Sequence, residues 1–403
     1  MALSRRDMLL GGAALGCSAA ASPLMTPVAF ADVPGDNRLV VIVLRGAMDG
    51  LDVLRPYGDP FYAGLRPTLA AGGGADLDGF FGLHPALAPL RPLWDAGDLG
   101  FAHATSTPYR DVRSHFDGQD VLEAGVADPK GDLRDGWLNR LVQVVPGAQS
   151  DTAYAIGRDR MLILAGAAEV AHWAPEAQLD LNPRTRRLIE LVHDGDPLFE
   201  QASAEAIEIA QQIDAEAEMT EALEDQIAAD PMMGEIALRG DHIRLAEFAA
   251  GRLRGASRIA SFSLAGWDTH NRQGQHLPRA LDRLAAVLLT LRVGLADHWD
   301  RTAILCLTEF GRTVRENGTL GTDHGTGGAM IYAGGALRGG RVLGDWPGLS
   351  DFDLYDGRDL MPTRDVRAYA AWVLRGLYGV KPSTLAGMIF PGVDLGADPG
   401  IVR

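Results

Sequence analysis

"NRLVVIVLRGAMDGLD", residues 37–52, contains six consecutive apolar positions at 39–44, and four of them are β-branched. An unbroken apolar run of this length is typical of a strand that is buried on both faces, as in a parallel sheet. The run ends at a glycine-containing turn that carries Asp49 and Asp52. The segment therefore predicts an α/β fold with polar side chains at the end of its first strand.

Two later segments repeat this order of strand and polar turn. They are RIASFSLAGWDTH (258–270) and TAILCLTEFGRT (302–313), and an amphipathic helical pattern (277–298) lies between them. Strand, helix and strand in this order predict a right-handed βαβ unit. Shorter strands are predicted near 99–103, 329–333 and 341–343. We therefore expect a mostly parallel sheet flanked by helices.

Residues 183–254 differ in composition from the rest of the chain. They are rich in Ala, Glu and Gln, which favour helices, and their apolar residues recur near helical spacing. This pattern predicts a helical insertion within one α/β domain that spans residues 32–403. We expect the insertion to border the functional site without supplying ligands to it.

The N-terminus has the layout of an export signal. Paired Arg5 and Arg6 precede a weakly apolar stretch, and the small-residue pattern Ala29-Phe30-Ala31 follows. This order predicts a twin-arginine signal peptide over residues 1–31, with cleavage after Ala31. Lipidation at Cys17 is the alternative reading. We expect a periplasmic or secreted protein that engages the twin-arginine export machinery and has no stable membrane span.

Charge and cysteine content exclude several classes of protein. The formal net charge is −16, which argues against nucleic-acid binding because that requires a basic face. Cys306 is the one cysteine outside the predicted signal, so no disulfide can form within the mature chain. The sequence predicts an acidic, disulfide-free globular protein.

Acids and histidines follow each of the three apolar strands and recur in LGTDHGTGGAM (320–330). Ligands of open α/β sheets bind at the carboxyl ends of the strands, so these side chains are expected to converge. Carboxylates and imidazoles bind Zn²⁺, Mn²⁺ or Mg²⁺. The predicted metal ligands are Asp49, Asp268, His270, Glu309, Asp323 and His324.

Each of these residues, taken alone, also has an ordinary structural explanation. An Asp at a strand end often caps the next turn, and a turn held by Asp323 is the alternative explanation of the glycine-flanked segment. Glu309 follows a buried strand, where a carboxylate needs a partner, and Arg312 is a candidate for that role. Both explanations stay open at the level of the sequence.

The segment TSTPYRDVRSHFDGQD (105–120) offers candidate catalytic groups at the start of a predicted helix. Ser114 is a candidate nucleophile and His115 a candidate proton shuttle. Arg110 and Arg113 are candidates for contact with phosphate or sulfate oxygens. The alternative is that Ser114 caps the helix and the arginines form structural ion pairs.

The chain resembles the family called domain of unknown function 1501. The resemblance is carried by LRGAMDGLD, RSHFDGQD, GWDTH, TEFGRT, TDHGTGGAM and LYDGRDLMPTRDVRA. It implies an alkaline phosphatase-like fold with one or two metals at the strand ends, where Asp49, the pair Asp268 and His270, and Asp323-His324 match ligand positions. The spacing departs from that superfamily, since the first pair is D-x-H, and the sulfatase motif C-x-P-x-R is absent.

Two classes of function follow from these observations. The first is a metal-dependent hydrolase that acts on a phosphate ester or a related ester, either a small molecule or a polymer. The second is a non-catalytic periplasmic protein that keeps the fold and a structural metal while binding a partner. Fold membership alone does not decide between them.

Overall fold

In the computed structural model, the described residues are 36–110, 112–129, 131, 135–148, 152–157, 161–173 and 240–403. A nine-stranded sheet lies at the centre of this part of the chain. Its strands in chain order are β1 (Arg38–Arg45), β2 (Leu99–Ser106), β3 (Ala153–Ile156), β4 (Ala171–Trp173), β5 (Ile259–Ala265), β6 (Thr302–Leu307), β7 (Gly328–Ala333), β8 (Val342–Leu343) and β9 (Arg364–Asp365).

The first strand is buried on both faces, as its sequence predicts. Val40, Ile42 and Leu44 pack into the core on one face of the sheet. Leu39, Val41 and Val43 pack into the core on the other face. Because successive side chains of a strand point to opposite faces, an unbroken apolar run supplies both cores at once.

The sheet is mostly parallel, which confirms the predicted fold class. Its order is β8-β2-β7-β6-β1-β5-β3-β4, and β9 also pairs with β2. β1 is parallel to both β5 and β6, and β5 is parallel to β3. Within this sheet, β7 is the one described strand that runs antiparallel to its neighbours, which are β2 and β6. The carboxyl ends of β1, β5 and β6 therefore lie side by side at one edge.

Helices cover both faces of the sheet. Their bounds are α1 (Gly50–Val53), α2 (Tyr62–Leu65), α3 (Arg91–Asp95), α4 (His115–Ala124), α5 (Trp137–Val144), α6 (Asp241–Arg254), α7 (Gln273–Leu295), α8 (Val366–Tyr378) and α9 (Pro382–Thr384). The apolar sides of α6 and α7 pack on one face with Val40. Those of α5 and α8 pack on the other face with Leu39. The result is a three-layer α/β arrangement.

Shorter elements complete the described chain. A small antiparallel sheet joins Leu54–Arg55, Gly82–Leu83 and Ala75–Asp76. Turns of 3₁₀ helix span Ala70–Gly72, Pro85–Leu90, Leu162–Leu164 and Ala296–Arg301, and a π-helical turn spans Leu385–Ile389. These elements lie between the main strands and helices and form part of the walls of the cavities described below.

Several sequence predictions fall outside the described residues. The signal peptide at 1–31 does so entirely, and the helical insertion at 183–254 does so up to residue 239. Within its remaining part, α6 packs against the sheet. None of the described helices is long and apolar enough to cross a membrane.

Candidate metal centre

Three neighbouring strand ends deliver the polar side chains to one edge of the sheet. β1 leads into Asp49, β5 leads into Asp268 and His270, and β6 leads into Glu309. The later segment around His324 joins them by pairing with the residues that follow β6. The N–H of Thr313 donates to the carbonyl of Asp323 (2.9 Å), and the N–H of Gly325 donates to that of Gly311 (2.8 Å). Segments distant in sequence thus meet at the predicted edge.

Glycine permits this close pairing. A Cβ at Gly325 would lie 2.4 Å from the carbonyl carbon of Arg312, and a Cβ at Gly327 would lie 2.4 Å from the carbonyl oxygen of Leu360. Both distances are far below any van der Waals contact. Gly325 and Gly327, which follow the Asp-His pair, therefore allow backbone segments to touch.

Four side chains meet at the centre of this edge. Asp268 Oδ2 lies 3.5 Å from His115 Nε2, and Asp268 Oδ1 lies 3.2 Å from His270 Nε2 and 3.5 Å from His324 Nε2. The Nε2 atoms of His270 and His324 are 2.9 Å apart. Ligand atoms of His115, Asp268 and His324 all lie within 4.8 Å of one another. We call His115, Asp268, His270 and His324 the histidine cluster.

Each imidazole of the histidine cluster is held at its Nδ1 by an oxygen acceptor. His115 Nδ1 donates to Glu309 Oε1 (2.8 Å), and His270 Nδ1 donates to Asp323 Oδ1 (3.2 Å). His324 Nδ1 donates to the backbone carbonyl of Arg113 (2.9 Å). Because the acceptors are carboxylates or a carbonyl, they place the proton on Nδ1 and leave each Nε2 as a lone pair.

This tautomer pattern needs a cation at the centre. Two Nε2 lone pairs that face each other at 2.9 Å repel unless a proton or a metal ion lies between them. The buried Nε2 of His115 has no hydrogen-bond partner in the described structure. Ligands about 2.0–2.2 Å from a tetrahedral zinc ion are about 3.3–3.5 Å apart, which is close to the measured separations. The donor set therefore fits a divalent metal.

Glu309 lies next to the histidine cluster and holds the ring of His115. Its side chain is 0% exposed, and its Oε1 accepts from the N–H of Gly46 (2.9 Å), from His115 and from Gln119 Nε2 (3.2 Å). Burial alone would raise the pKa of Glu309, but the hydrogen bonds from His115 and its other donors lower it. The ionised carboxylate in turn raises the pKa of His115, chiefly through their hydrogen bond. The structure thus places Glu309 as an orienting group for His115, whereas the sequence predicts a ligand.

Arg312 pairs with Asp268 rather than with Glu309. Its Nη2 donates to Asp268 Oδ1 (2.6 Å), and its remaining donors reach backbone carbonyls, including those of Ala47 and Thr322. Burial would raise the pKa of Asp268, but the hydrogen bond and charge of Arg312 outweigh it and lower the pKa. The suggested pairing of Arg312 with Glu309 is therefore wrong. The buried guanidinium ties the loops after β1, β5 and β6 together.

Asp49 lies in a separate buried network. Its Oδ2 accepts from Arg66 Nη1 (2.7 Å) and Gln273 Nε2 (2.7 Å), and its Oδ1 accepts from the N–H of Leu51 (3.1 Å) as the cap of α1. Burial would raise the pKa of Asp49, but the charge of Arg66 outweighs it and lowers the pKa. The structure does not bring Asp49 into the histidine cluster, because donors from the protein already use its oxygens.

Asp323 lies beside the histidine cluster. Its Oδ1 accepts from Asn317 Nδ2 (3.0 Å) as well as from His270. The hydrogen bond from Asn317 is the main cause that lowers the pKa of Asp323. Burial lowers the pKa of its neighbour His324, and the charge of Arg312 adds to that effect. Asp323 therefore holds the ring of His270, while His324 turns its Nε2 to the centre.

The candidate nucleophile Ser114 is the N-cap of α4. Its Oγ accepts from the N–H of Asp117 (3.4 Å), and its own N–H donates to the hydroxyl of Tyr109 (2.7 Å). Arg110 is held by Ser106 Oγ (3.0 Å) and by nearby carbonyls. The side chain of Arg113 is 42% exposed, and its Nη2 lies 3.9 Å from Asp359. Of the two arginines, Arg113 is the more accessible to a ligand.

Sequence reasoning missed two groups that shape the site. One is the carbonyl of Arg113, which fixes His324 from a residue whose φ is +55°. A backbone oxygen has no signature in sequence, so no pattern could have shown it. The other is Gln119, which lies one helical turn after His115 and donates to the same carboxylate. Its spacing of four residues on α4 was an available signal.

The chain is similar to one protein family and to several solved structures. The family model described as protein of unknown function (DUF1501) matches residues 98–368. No curated protein matches the chain.

Solved structures with a similar arrangement include the C-terminal periplasmic domain of EcEptC from Escherichia coli. That match has 8% identity and a TM-score of 0.38, and it covers 93% of this chain and 94% of that chain. A protein in the alkaline phosphatase superfamily from Vibrio parahaemolyticus matches with 12% identity and a TM-score of 0.33, covering 82% and 69%. A complex of the EcEptC domain with Zn matches with 10% identity and a TM-score of 0.32, covering 75% and 74%.

Proposed function

This chain belongs to the family described as protein of unknown function (DUF1501), and we propose that it is an exported metal-dependent hydrolase of phosphate esters or related esters. One observation carries the proposal. Three imidazoles, each fixed at Nδ1 by an oxygen, turn their Nε2 lone pairs toward one carboxylate. Such an arrangement stabilises a divalent cation and is costly without one.

His115, Asp268, His270 and His324 are the residues that would hold the metal. Three imidazoles and one carboxylate favour Zn²⁺ over Mg²⁺, which prefers oxygen ligands. A bound divalent metal polarises an ester oxygen and lowers the pKa of a coordinated water. Half of the Asp268 side chain is exposed, so the centre is open to solvent on one side.

The surrounding residues supply orientation and charge. Glu309 and Asp323 keep the rings of His115 and His270 in one tautomer. Arg113, whose backbone carbonyl holds His324, has an exposed side chain, and its guanidinium is suited to contact an ester oxyanion. Ser114 begins α4 next to His115 and remains the candidate nucleophile, with a metal-bound water as the alternative. Because their Nδ1 atoms are engaged, His115 and His324 are better suited to metal binding than to proton transfer.

The cellular location is part of the proposal. The pattern at Arg5 and Arg6 supports export of a folded chain by the twin-arginine route, which permits a metal to bind before export. Replacement of both arginines by lysine is expected to leave the precursor in the cytoplasm. Fractionation followed by immunoblotting tests this, and normal periplasmic amounts of the variant would contradict the route.

The hydrolase proposal is tested by metal analysis together with ester hydrolysis. Protein from the exported pool is analysed by mass spectrometry for bound metal and assayed with an aryl phosphate and an aryl sulfate. Asp268→Asn is expected to lose both metal and hydrolysis, because an amide is a much poorer ligand than a carboxylate. His276→Ala removes an exposed histidine from α7 and serves as the matched control.

Each outcome decides between the two classes of function. If the protein binds metal and hydrolyses an ester, and if both properties are lost in Asp268→Asn, the results support the enzyme. Bound metal without hydrolysis of either ester favours the alternative, a non-catalytic periplasmic protein with a structural metal. Absence of metal in protein refolded or purified with Zn²⁺, Mn²⁺ and Mg²⁺ present overturns both versions of the metal centre.

A further inference from the structure

A cavity of about 400 Å³ lies beside the start of α7. Its polar lining includes Arg55, His84 and Arg272, and Leu69, Pro278 and Leu320 form apolar walls. None of these residues belongs to the histidine cluster. The cavity therefore has a composition of its own, with cationic groups at one side and apolar surface around them.

The charge balance of the cavity is positive. Asp52 lines it, but its Oδ1 accepts from Arg55 Nη2 (2.7 Å) and its Oδ2 from Gln273 Nε2 (2.8 Å). The pair of Asp52 and Arg55 thus carries no net charge. The guanidinium of Arg272 is exposed and forms no ion pair or hydrogen bond with any described residue. One unpaired cation remains to attract an anion.

His84 adds a hydrogen-bond donor to the lining of the cavity. Its side chain is buried with 6% exposure, and its Nδ1 accepts from the N–H of Ala86 (3.1 Å) as a helix cap. The ring proton is therefore on Nε2, and burial lowers the pKa of His84 to about 4, so the ring stays neutral at pH 7. No described residue accepts from Nε2, and the ring borders the cavity. This neutral N–H donor has no protein acceptor and is available to a ligand in the cavity.

The N-terminus of α7 also favours an anion in the cavity. The helix has 23 residues, its N-cap Arg272 provides no side-chain cap, and Gly274 lines the cavity. No acceptor among the described residues takes the N–H of Gly274. Free N–H groups and the helix dipole at an N-terminus favour an anion.

From these three observations we propose that the cavity binds the oxyanion of a small organic ligand. Arg272, the N–H of Gly274 and Nε2–H of His84 contact the anionic group, and Leu69, Pro278 and Leu320 pack against the organic part. The site does not depend on the metal centre. It shares two loops with that centre, because Arg272 follows His270 by two residues and Leu320 precedes Asp323 by three.

The test uses the mature protein after removal of metal with a chelator, so that the histidine cluster can neither bind nor hydrolyse the probe through a metal. Phenyl phosphate is titrated at low ionic strength by isothermal titration calorimetry. We expect saturable binding with one site per chain. Arg272→Gln is expected to weaken it about tenfold, because it removes a charge-assisted hydrogen bond.

Arg279→Gln is the matched control, since Arg279 is an exposed arginine on the same helix that does not line the cavity. It is expected to change the affinity less than about twofold. His84→Asn, which keeps a capping side chain but removes the imidazole, is expected to weaken binding several-fold while thermal unfolding confirms a folded protein.

Absence of saturable binding to the metal-free protein would overturn the proposal. Equal effects of Arg272→Gln and Arg279→Gln would also overturn it, because they would show attraction by general charge only. Unchanged affinity in both Arg272→Gln and His84→Asn would place the anion outside the cavity and so reject the proposal. The hydrolase proposal is unaffected by any of these results, since it is tested with bound metal.

Discussion

Two groups of polar side chains lie at the same edge of the sheet, and they differ in whether the protein satisfies them. In the network around Asp49, both carboxylate oxygens accept from donors of the protein, including Arg66 and Gln273. In the histidine cluster, protein acceptors engage each Nδ1, whereas the Nε2 atoms of His270 and His324 face each other.

The difference teaches how to recognise a ligand site among strand-end carboxylates. Both groups begin with an acid that follows an apolar strand, so their sequence signals are alike. A complete set of internal partners marks a structural network, because no lone pair remains to bind a ligand. An incomplete set marks a site, because unsatisfied buried groups are costly.

The largest expected effect concerns the network around Asp49. Asp49→Asn leaves the guanidinium of Arg66, which is 0% exposed, without its anionic partner. We expect the free energy of unfolding in urea to fall by about 3 kcal/mol or more. Metal bound per folded chain is expected to stay unchanged.

The control for this prediction is Asp95→Asn. It breaks the exposed pair of Asp95 and Arg91, and we expect a change below about 1 kcal/mol. Loss of metal from folded Asp49→Asn protein would place Asp49 in the metal centre and dissolve the distinction between the two groups.

The second effect concerns the carboxylate that orients His115. Glu309→Gln keeps the shape and one carbonyl acceptor but removes the negative charge behind the ring. We expect metal affinity to fall about 10–100-fold, as for other groups that hold a ligand from behind. Competition with a chromogenic chelator measures it, and Glu316→Gln, at a residue whose carboxylate caps Thr68 and Leu69, is the control. Unchanged affinity would show that the negative charge of Glu309 does not contribute to metal binding.

The third effect separates Asp323 as an orienting group from Asp323 as a ligand. If it only holds the ring of His270, Asp323→Asn retains a hydrogen-bond acceptor, and metal affinity falls about tenfold. If it binds the metal directly, metal is lost completely at the concentrations used for purification. If it only forms a turn, the variant binds metal like the wild type. Metal titration by calorimetry distinguishes the three outcomes.

The sequence predicted the position of the site better than the roles within it. The apolar runs of β1, β5 and β6 predicted which strand ends meet, and Asp268, His270 and His324 do lie together. Their roles depend on which oxygen meets which ring nitrogen, and spacing carries no information about side-chain direction. Asp49 looked like a ligand because its partner Arg66 lies on a later turn with no periodic relation to it.

The smallest effect adds a third kind of buried imidazole to the comparison. His103 packs between Phe81 and Trp346, and burial lowers its pKa from 6.5 to about 4. In the unfolded chain it takes up a proton near pH 6.5, so its contribution to stability is present above that pH. The contribution is lost as the pH falls towards 4.

This behaviour is measured on metal-free protein. His103→Phe keeps an aromatic ring in the same place and removes the titration. Between pH 7 and pH 5, the free energy of unfolding of the wild type is expected to fall by about 2 kcal/mol more than that of the variant. Parallel curves for the two proteins would show that His103 does not contribute to the pH dependence.

The long loops that close the histidine cluster have a consequence for the order of folding. His115 and Glu309 are 194 positions apart, and Gly46, which also donates to Glu309, is 263 positions from it. Contacts between such distant residues form late, because a long segment of chain must be ordered before they are made. If a metal ion binds the histidine cluster, it therefore meets its full set of ligands only after β1, β5 and β6 are aligned. A metal ion bound to the histidine cluster would slow unfolding, and the folded sheet would therefore persist for longer.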